Sequence, residues 1–147
     1  MFKTGAGFGI KFDMDQYLAS PTGTPDFQSL CPTNVDKALN EAVDTFFRLC
    51  DEGYAQNILA ALDPEYSMTL KGDDSDTVLL AIIDNELDME RRNRAGFEIT
   101  DNLKSSNDVI TIGATITEIS DSRVADGVIE VTIVFKFRGK PTISTST

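Results

Sequence analysis

Residues 109–119, VITIGATITEI, and 128–137, VIEVTIVFKF, are the stretches whose reading decides the fold. In the first, Ile110, Ile112, Ala114 and Ile116 fall on one side of an alternating pattern; in the second, Ile129, Val131, Ile133, Phe135 and Phe137 stand against Glu130, Thr132 and Lys136. Strict alternation sends successive side chains to opposite faces, so each stretch is predicted to be a strand with one buried face. The polar SDSRVADG between them ends in Asp126-Gly127, which predicts an antiparallel pair joined by a longer hairpin loop. EYSMTLK (65–71) repeats the pattern through Tyr66, Met68 and Leu70, and GFEIT (96–100) adds a shorter strand with Phe97 and Ile99.

Between those strands LKGDDSDTVLLAIIDNEL (70–87) changes its period. Val78, Leu79, Ile82, Ile83 and Leu87 recur at helical steps, predicting a helix over 75–87. Asp73, Asp74 and Asp76 invite a calcium reading. A calcium loop, however, needs further oxygen ligands, a glycine at its sharp turn and a late glutamate, whereas this chain turns hydrophobic. The acids therefore start the helix, with Asp74 or Ser75 accepting hydrogen bonds from its first free N–H groups. Asp84 and Asp88, four residues apart, are the best carboxylate pair for acid–base chemistry, but a solvated face is the plainer reading.

The remaining segments are read from their punctuation. Gly5, Gly7 and Gly9 lack the flanking strand and helix of a dinucleotide fingerprint and the Gly-Lys-Ser/Thr ending of a phosphate loop, so 1–16 is expected to be a terminal arm. Pro21, Gly23, Pro25 and Pro32 mark an irregular connector. VDKALNE and TFFRL are short strand candidates, and Asp51-Glu52-Gly53 is a turn. YAQNILAALDP shows neither alternation nor a clean helical face, and 42–64 as a whole is expected to be a long loop. Its apolar Tyr54, Ile58, Leu59 and Leu62 then imply a docking surface, with Phe46 and Phe47 beside it. Residues 138–147 are expected to be a tail. Strands, one helix, then strands leave too few helices to cover a parallel sheet, so the fold class is mainly β: an antiparallel β-sandwich or partial barrel with one flanking α-helix.

With 147 residues and 41% hydrophobic content the chain suits a single domain, and its net charge of -11 is spread along the sequence. Such a surface does not grip nucleic acid: the one dense basic cluster, Arg91, Arg92 and Arg94, is flanked by Glu86, Asp88 and Glu90 and reads as a solvated or subunit-pairing turn. Histidine is absent. That removes the commonest general base and metal ligand, and Cys31 and Cys50 alone cannot make a zinc site, so no catalytic set, cofactor or metal is expected. The N-terminus has no basic stretch followed by an apolar core, so free thiols are expected, and no apolar run is long enough to span a bilayer.

The runs VDKALNEAVDTFFRLCDEGYAQNILAALDPEYSMTLKGDDSDTVLLAI and ITIGATITEISDSRVADGVIEVTIVFKFRGKPT resemble the major tail tube proteins of long-tailed bacteriophages over about Tyr17 to Thr142. The carriers are the turn at Gly53, the DPEYSMTLKG strand leading into an acid-capped helix, and the GATITEIS and GVIEVTIVFKFRGKPT strands. The resemblance implies a β-sandwich subunit that forms stacked hexameric rings around a continuous luminal β-barrel. Its implied partners are further copies of the chain, a tape-measure protein, tail terminator and distal tail proteins, and phage DNA only in transit. Its implied place is the virion tail, assembled in the host cytoplasm. Charge agrees with this picture, because an acidic lumen lets DNA slide, and Asp36, Glu118 and Glu130 are the candidate lumen residues. The alternative is a monomeric β-sandwich that binds carbohydrate or receptor as an accessory virion protein.

Overall fold

The computed structural model describes residues 8–47, 55–101, 108–123 and 127–145. In chain order the elements are β1 (Gly9–Asp13), β2 (Phe27–Leu30), β3 (Pro32–Ala38), β4 (Ala42–Phe47), β5 (Ala55–Ala61), β6 (Glu65–Gly72), α1 (Thr77–Asp84), α2 (Met89–Asn93), β7 (Ala95–Thr100), β8 (Asp108–Arg123), β9 (Ile129–Phe137) and β10 (Thr142–Thr145). The main sheet runs β2-β1-β7-β8-β9-β6-β3, with β10 added beside β8, while β4 and β5 form a separate ribbon. All of these pairings are antiparallel. Strands β2 and β3 lie at the two ends of the path, yet only Cys31 separates Leu30 from Pro32. A sheet whose ends are joined through one residue has to curl, and this one is a half-barrel.

The predicted alternation holds where it is strongest. Ile112, Ala114 and Ile116 of β8, Val131, Ile133 and Phe135 of β9, and Met68 of β6 are buried on the inner face. Phe97 of β7 stacks on Phe135 with ring centroids 4.0 Å apart, a geometry that adds to area burial. Helix α1 supplies Val78, Leu79 and Ile82 to the same core.

Several expectations change. The helix covers only Thr77–Asp84; Asn85 caps its end, its N–H bonding to the Ala81 carbonyl, and the turn that follows leads into α2. Leu87 is therefore 92% exposed instead of continuing the buried face. Neither Asp74 nor Ser75 is the N-cap. Asp76 is, its carboxylate accepting from Leu79 N at 3.1 Å, because it immediately precedes the first helical residue. Asp73 instead accepts from Ser75 N at 2.9 Å and from its hydroxyl, and the Ser75 hydroxyl bond holds the Asp73 carboxyl below the usual range.

The arm at 1–16 contains β1, where Ile10 and Phe12 are buried between β2 and β7. The connector contains β2, and the tail contains β10, paired with β8 from Thr142↔Thr111 to Thr145↔Asp108. The loop at 42–64 contains the β4–β5 ribbon, with Ala42↔Ala61 and Phe47↔Ala55 as its outermost pairs. β2 and β10 are four residues long, β1 alternates only over Gly9–Phe12, and the ribbon mixes exposed apolar and polar residues, so these elements leave little period to read.

Candidate functional site

The ribbon is built by its base. Asn40, at φ 49, turns the chain between β3 and β4, and its side-chain amide donates to the Asp63 carbonyl at 3.0 Å. Asp63 N bonds to the Leu39 carbonyl at 3.0 Å, closing the opposite strand, and the Asp63 carboxylate receives Lys136 Nζ at 3.1 Å. Thr45 Oγ1 donates to Asn57 Oδ1 at 2.8 Å across the ribbon. Val43, Ile58 and Leu59 are each more than half exposed, as is Leu62 at the base. Burying one such side chain fully is worth about 1.5–3 kcal/mol, so this surface carries a strong drive to be covered. Ile58, a sequence candidate, is thus on the ribbon. Phe46 and Phe47 belong to β4 by backbone, with their side chains outside the description, and Tyr54 lies outside the described residues.

The outward face of the sheet gathers the acidic candidates. Asp36 pairs with Ser67, Ser67 with Val134, and Val134 with Glu118, which places Asp36 and Glu118 in one row across β3, β6, β9 and β8. Glu130 stands on the same face, four residues from Val134 along β9, beside Lys71 at 3.5 Å. Other charges on this face cancel: Lys11 meets Glu98 at 4.0 Å, and Lys136 meets Glu65 at 3.7 Å. No ion pair among the described residues neutralises Asp36 or Glu118.

Two constellations are structural, one missed in the sequence and one, the arginine cluster, read there as a solvated or subunit-pairing turn. Asp13 and Asp15 are buried, and their carboxylates organise the loop before β2. Asp13 accepts from Asp15 N and Asp26 N, both at 3.0 Å; Asp15 accepts from Thr22 Oγ1 at 2.6 Å, Thr22 N at 3.0 Å and Gly23 N at 3.1 Å. The Thr22 hydroxyl, foremost among these bonds, holds the Asp15 carboxyl below the usual carboxylate range. The D-M-D spacing ahead of a Pro- and Gly-rich loop is the signal that could have found it.

The arginine cluster is an internal lock rather than a free patch. Arg92 donates to the Ile116 carbonyl at 3.0 Å and to the Glu86 carbonyl at 2.9 Å, while Arg94 reaches the Gln16 carbonyl at 2.7 Å, the Leu18 carbonyl, and Glu90 at 2.8 Å. Asp88 caps α2 and pairs with Arg91 at 3.3 Å, so it does not form an acid–base dyad with Asp84. Among the described residues no group of three or more His, Cys, Asp or Glu is placed to hold a metal. Cys31 is an exposed free thiol, and Cys50 lies outside the described residues.

A curled antiparallel half-barrel is a shape that solved structures share. A chain from the SPP1 tail tube superposes with a TM-score of 0.65 at 16% identity, covering 97% of this chain and 79% of that one. The fold is that of a tail tube subunit. A chain from the virion of a native gene transfer agent particle gives a TM-score of 0.67 at 13% identity over 98% of this chain and 100% of that one. A chain from the tail of an empty gene transfer agent particle, refined with C6 symmetry, gives 0.61 at 14% identity over 99% and 100%. No family model matches the chain, and no curated protein matches it in sequence.

Proposed function

We propose that this chain is the structural, non-enzymatic subunit of a phage-type tail tube, self-assembling into stacked hexameric rings that form the channel for genome delivery. The observation that carries the reading is the β4–β5 ribbon: a tail tube fold bearing an arm whose Val43, Ile58 and Leu59 are open to solvent. A two-stranded ribbon is marginal by itself, and apolar residues on both its faces gain their burial from another copy. The outward face of the sheet lines the channel. Asp36 and Glu118 there, with Glu130 beside Lys71, make the wall acidic, so that DNA phosphates pass without sticking. Tubes assemble in the host cytoplasm around a tape-measure protein and meet terminator and distal tail proteins at their ends.

Electron microscopy and sedimentation of the purified chain over a concentration series test this. Rings or hollow tubes are expected; a persistent 16.1 kDa monomer overturns the reading, and one that also binds glycan points to a monomeric binding domain.

A further inference from the structure

Two surfaces on this chain set charged side chains of opposite sign, without ion-pair partners among the described residues, beside apolar ones. The first is the corner between α1 and α2. Leu87 is 92% exposed and Met89 76%, more than Val43, Ile58 or Leu59 of the ribbon. The corner is rigid: Arg92 holds the Glu86 carbonyl, Arg91 holds the Asn85 side chain, and Asp88 accepts from Arg91 N at 3.2 Å. Asp88 and Glu90 are paired with Arg91 and Arg94, whereas no cation among the described residues pairs with Asp84 or Glu86. The corner is thus an apolar knob with a net negative surround.

The second is a cleft of about 480 Å³ at the base of the ribbon, lined by Leu39, Leu62, Tyr66 and Phe137 together with Lys37 and Lys140. Tyr66 stacks between Phe135 and Phe137, with centroids 5.4 and 5.8 Å away, so the cleft has aromatic rings in its wall. Lys136 is paired with Asp63 and Glu65, but among the described residues no carboxylate pairs with Lys37 or Lys140. The cleft is an apolar pocket that carries two lysines without an ion-pair partner among the described residues, beside the Lys136 cluster and with the Asp101 charge acting on Tyr66.

We propose that the Leu87–Met89 corner of one copy seats in the Tyr66–Phe137 cleft of the next, a head-to-tail contact between subunits. The inference rests on the tube reading and deepens it. Charge complementarity selects the occupant: Asp84 and Glu86 meet Lys37 and Lys140. The thioether of Met89 suits an aromatic wall, and a preorganised corner loses little freedom on docking. The two patches are different surfaces of the same chain, so the contact is heterologous and repeats from copy to copy, closing a ring or extending a stack. The alternative occupant of the cleft is the apolar ribbon of a second copy.

Two experiments decide it. A benzoylphenylalanine photocrosslinker placed at position 89 of the assembled full chain should crosslink to peptides containing residues 37–39, 62–66 or 137–141. Crosslinks confined to other peptides overturn the proposal, as do crosslinks from a probe at position 58 that alone reach the cleft. The second uses charge reversal at the exposed Lys37, Lys140 and Asp84 and the half-buried Glu86. The pair Lys37→Glu with Lys140→Glu, and the pair Asp84→Lys with Glu86→Lys, should each raise the critical concentration for assembly at least about tenfold. An equimolar mixture of the two proteins should restore it, because each reversed cleft then meets a reversed knob. Unchanged assembly of either variant alone, or no rescue on mixing when both variants melt like wild type, overturns the contact. If a variant does not fold, the crosslink from position 89 decides alone. Wild-type chain that never polymerises sinks the tube reading itself; wild-type tubes built without this contact sink only the knob and cleft.

Discussion

Glu118 lies opposite Val134, one residue out of step with the pairing of Ile116 and Phe135, and Thr117 occupies the bulge between them. Unbroken alternation from Ile110, Ile112, Ala114 and Ile116 would aim Glu118 into the core. The bulge instead sends Glu118 outward beside Asp36's row and turns Ile119 inward, opposite Ile133. Deleting Thr117 removes the extra residue and leaves Glu118 directly after Ile116, so the strand alternates plainly with Glu118 still outward opposite Val134 and Ile119 still inward opposite Ile133. The deletion is therefore expected to keep cooperative unfolding, checked by circular dichroism melting; loss of the transition would show that the register beyond Ile116 is not the one described.

The helix cap makes a sharper demand. Asp76→Ala should destabilise the subunit by about 1–2 kcal/mol in urea titrations, whereas Asp74→Ala should lie within about 0.5 kcal/mol of wild type. Equal losses at both positions would contradict the assignment of the cap. Chelators are expected to leave the melting temperature where it is.

The ribbon predicts a separation of folding from assembly. Ile58→Asn and Leu59→Asn alter side chains that are already more than half exposed, so monomer stability should change little while polymerisation requires at least about tenfold more protein. Light scattering against concentration, with a melt of each variant, reads both quantities. Variants that unfold would place these side chains in the subunit's own core.

Asp15 sets an acid limit. Its folded pKa is depressed by the hydrogen bonds from Thr22 and Gly23, so its contribution is fully present above the ordinary carboxylate value of 3.8 and is lost as pH falls through the lower folded value. Stability should thus decline below about pH 4 with a component that Asp15→Asn removes. Melts from pH 2 to 6 check the sign; a steeper acid decline in the variant would contradict it.

The channel wall gives the last expectation. Reversing Asp36, Glu118 and Glu130 to lysine in assembled tubes should make DNA retention rise and fall off steeply with added salt, as phosphate contacts do. Gel retardation and sedimentation with linear duplex measure this. Tubes that retain no more DNA than wild type would place these residues away from the lumen.

The alternating stretches of β6, β7, β8 and β9 could be read directly, because one buried and one wet face imprint a local pattern on the residues themselves. So could the antiparallel β class, the acid-started helix and the absence of histidine chemistry. Tertiary structure decided the rest. β1, β5 and β10 are strands because a partner edge lies beside them: Ile10 and Phe12 zip between β2 and β7 in a stretch too short to show its period alone, and the ribbon mixes apolar and polar residues without alternation. Strand order, the join through Cys31 that curls the sheet, and the Thr117 bulge that puts Glu118 and Asp36 in one row depend on contacts between residues far apart in the chain. A local pattern encodes which face of a strand is buried; it contains nothing about which strand lies opposite, and that pairing sets the register and hence the surfaces offered to the next copy.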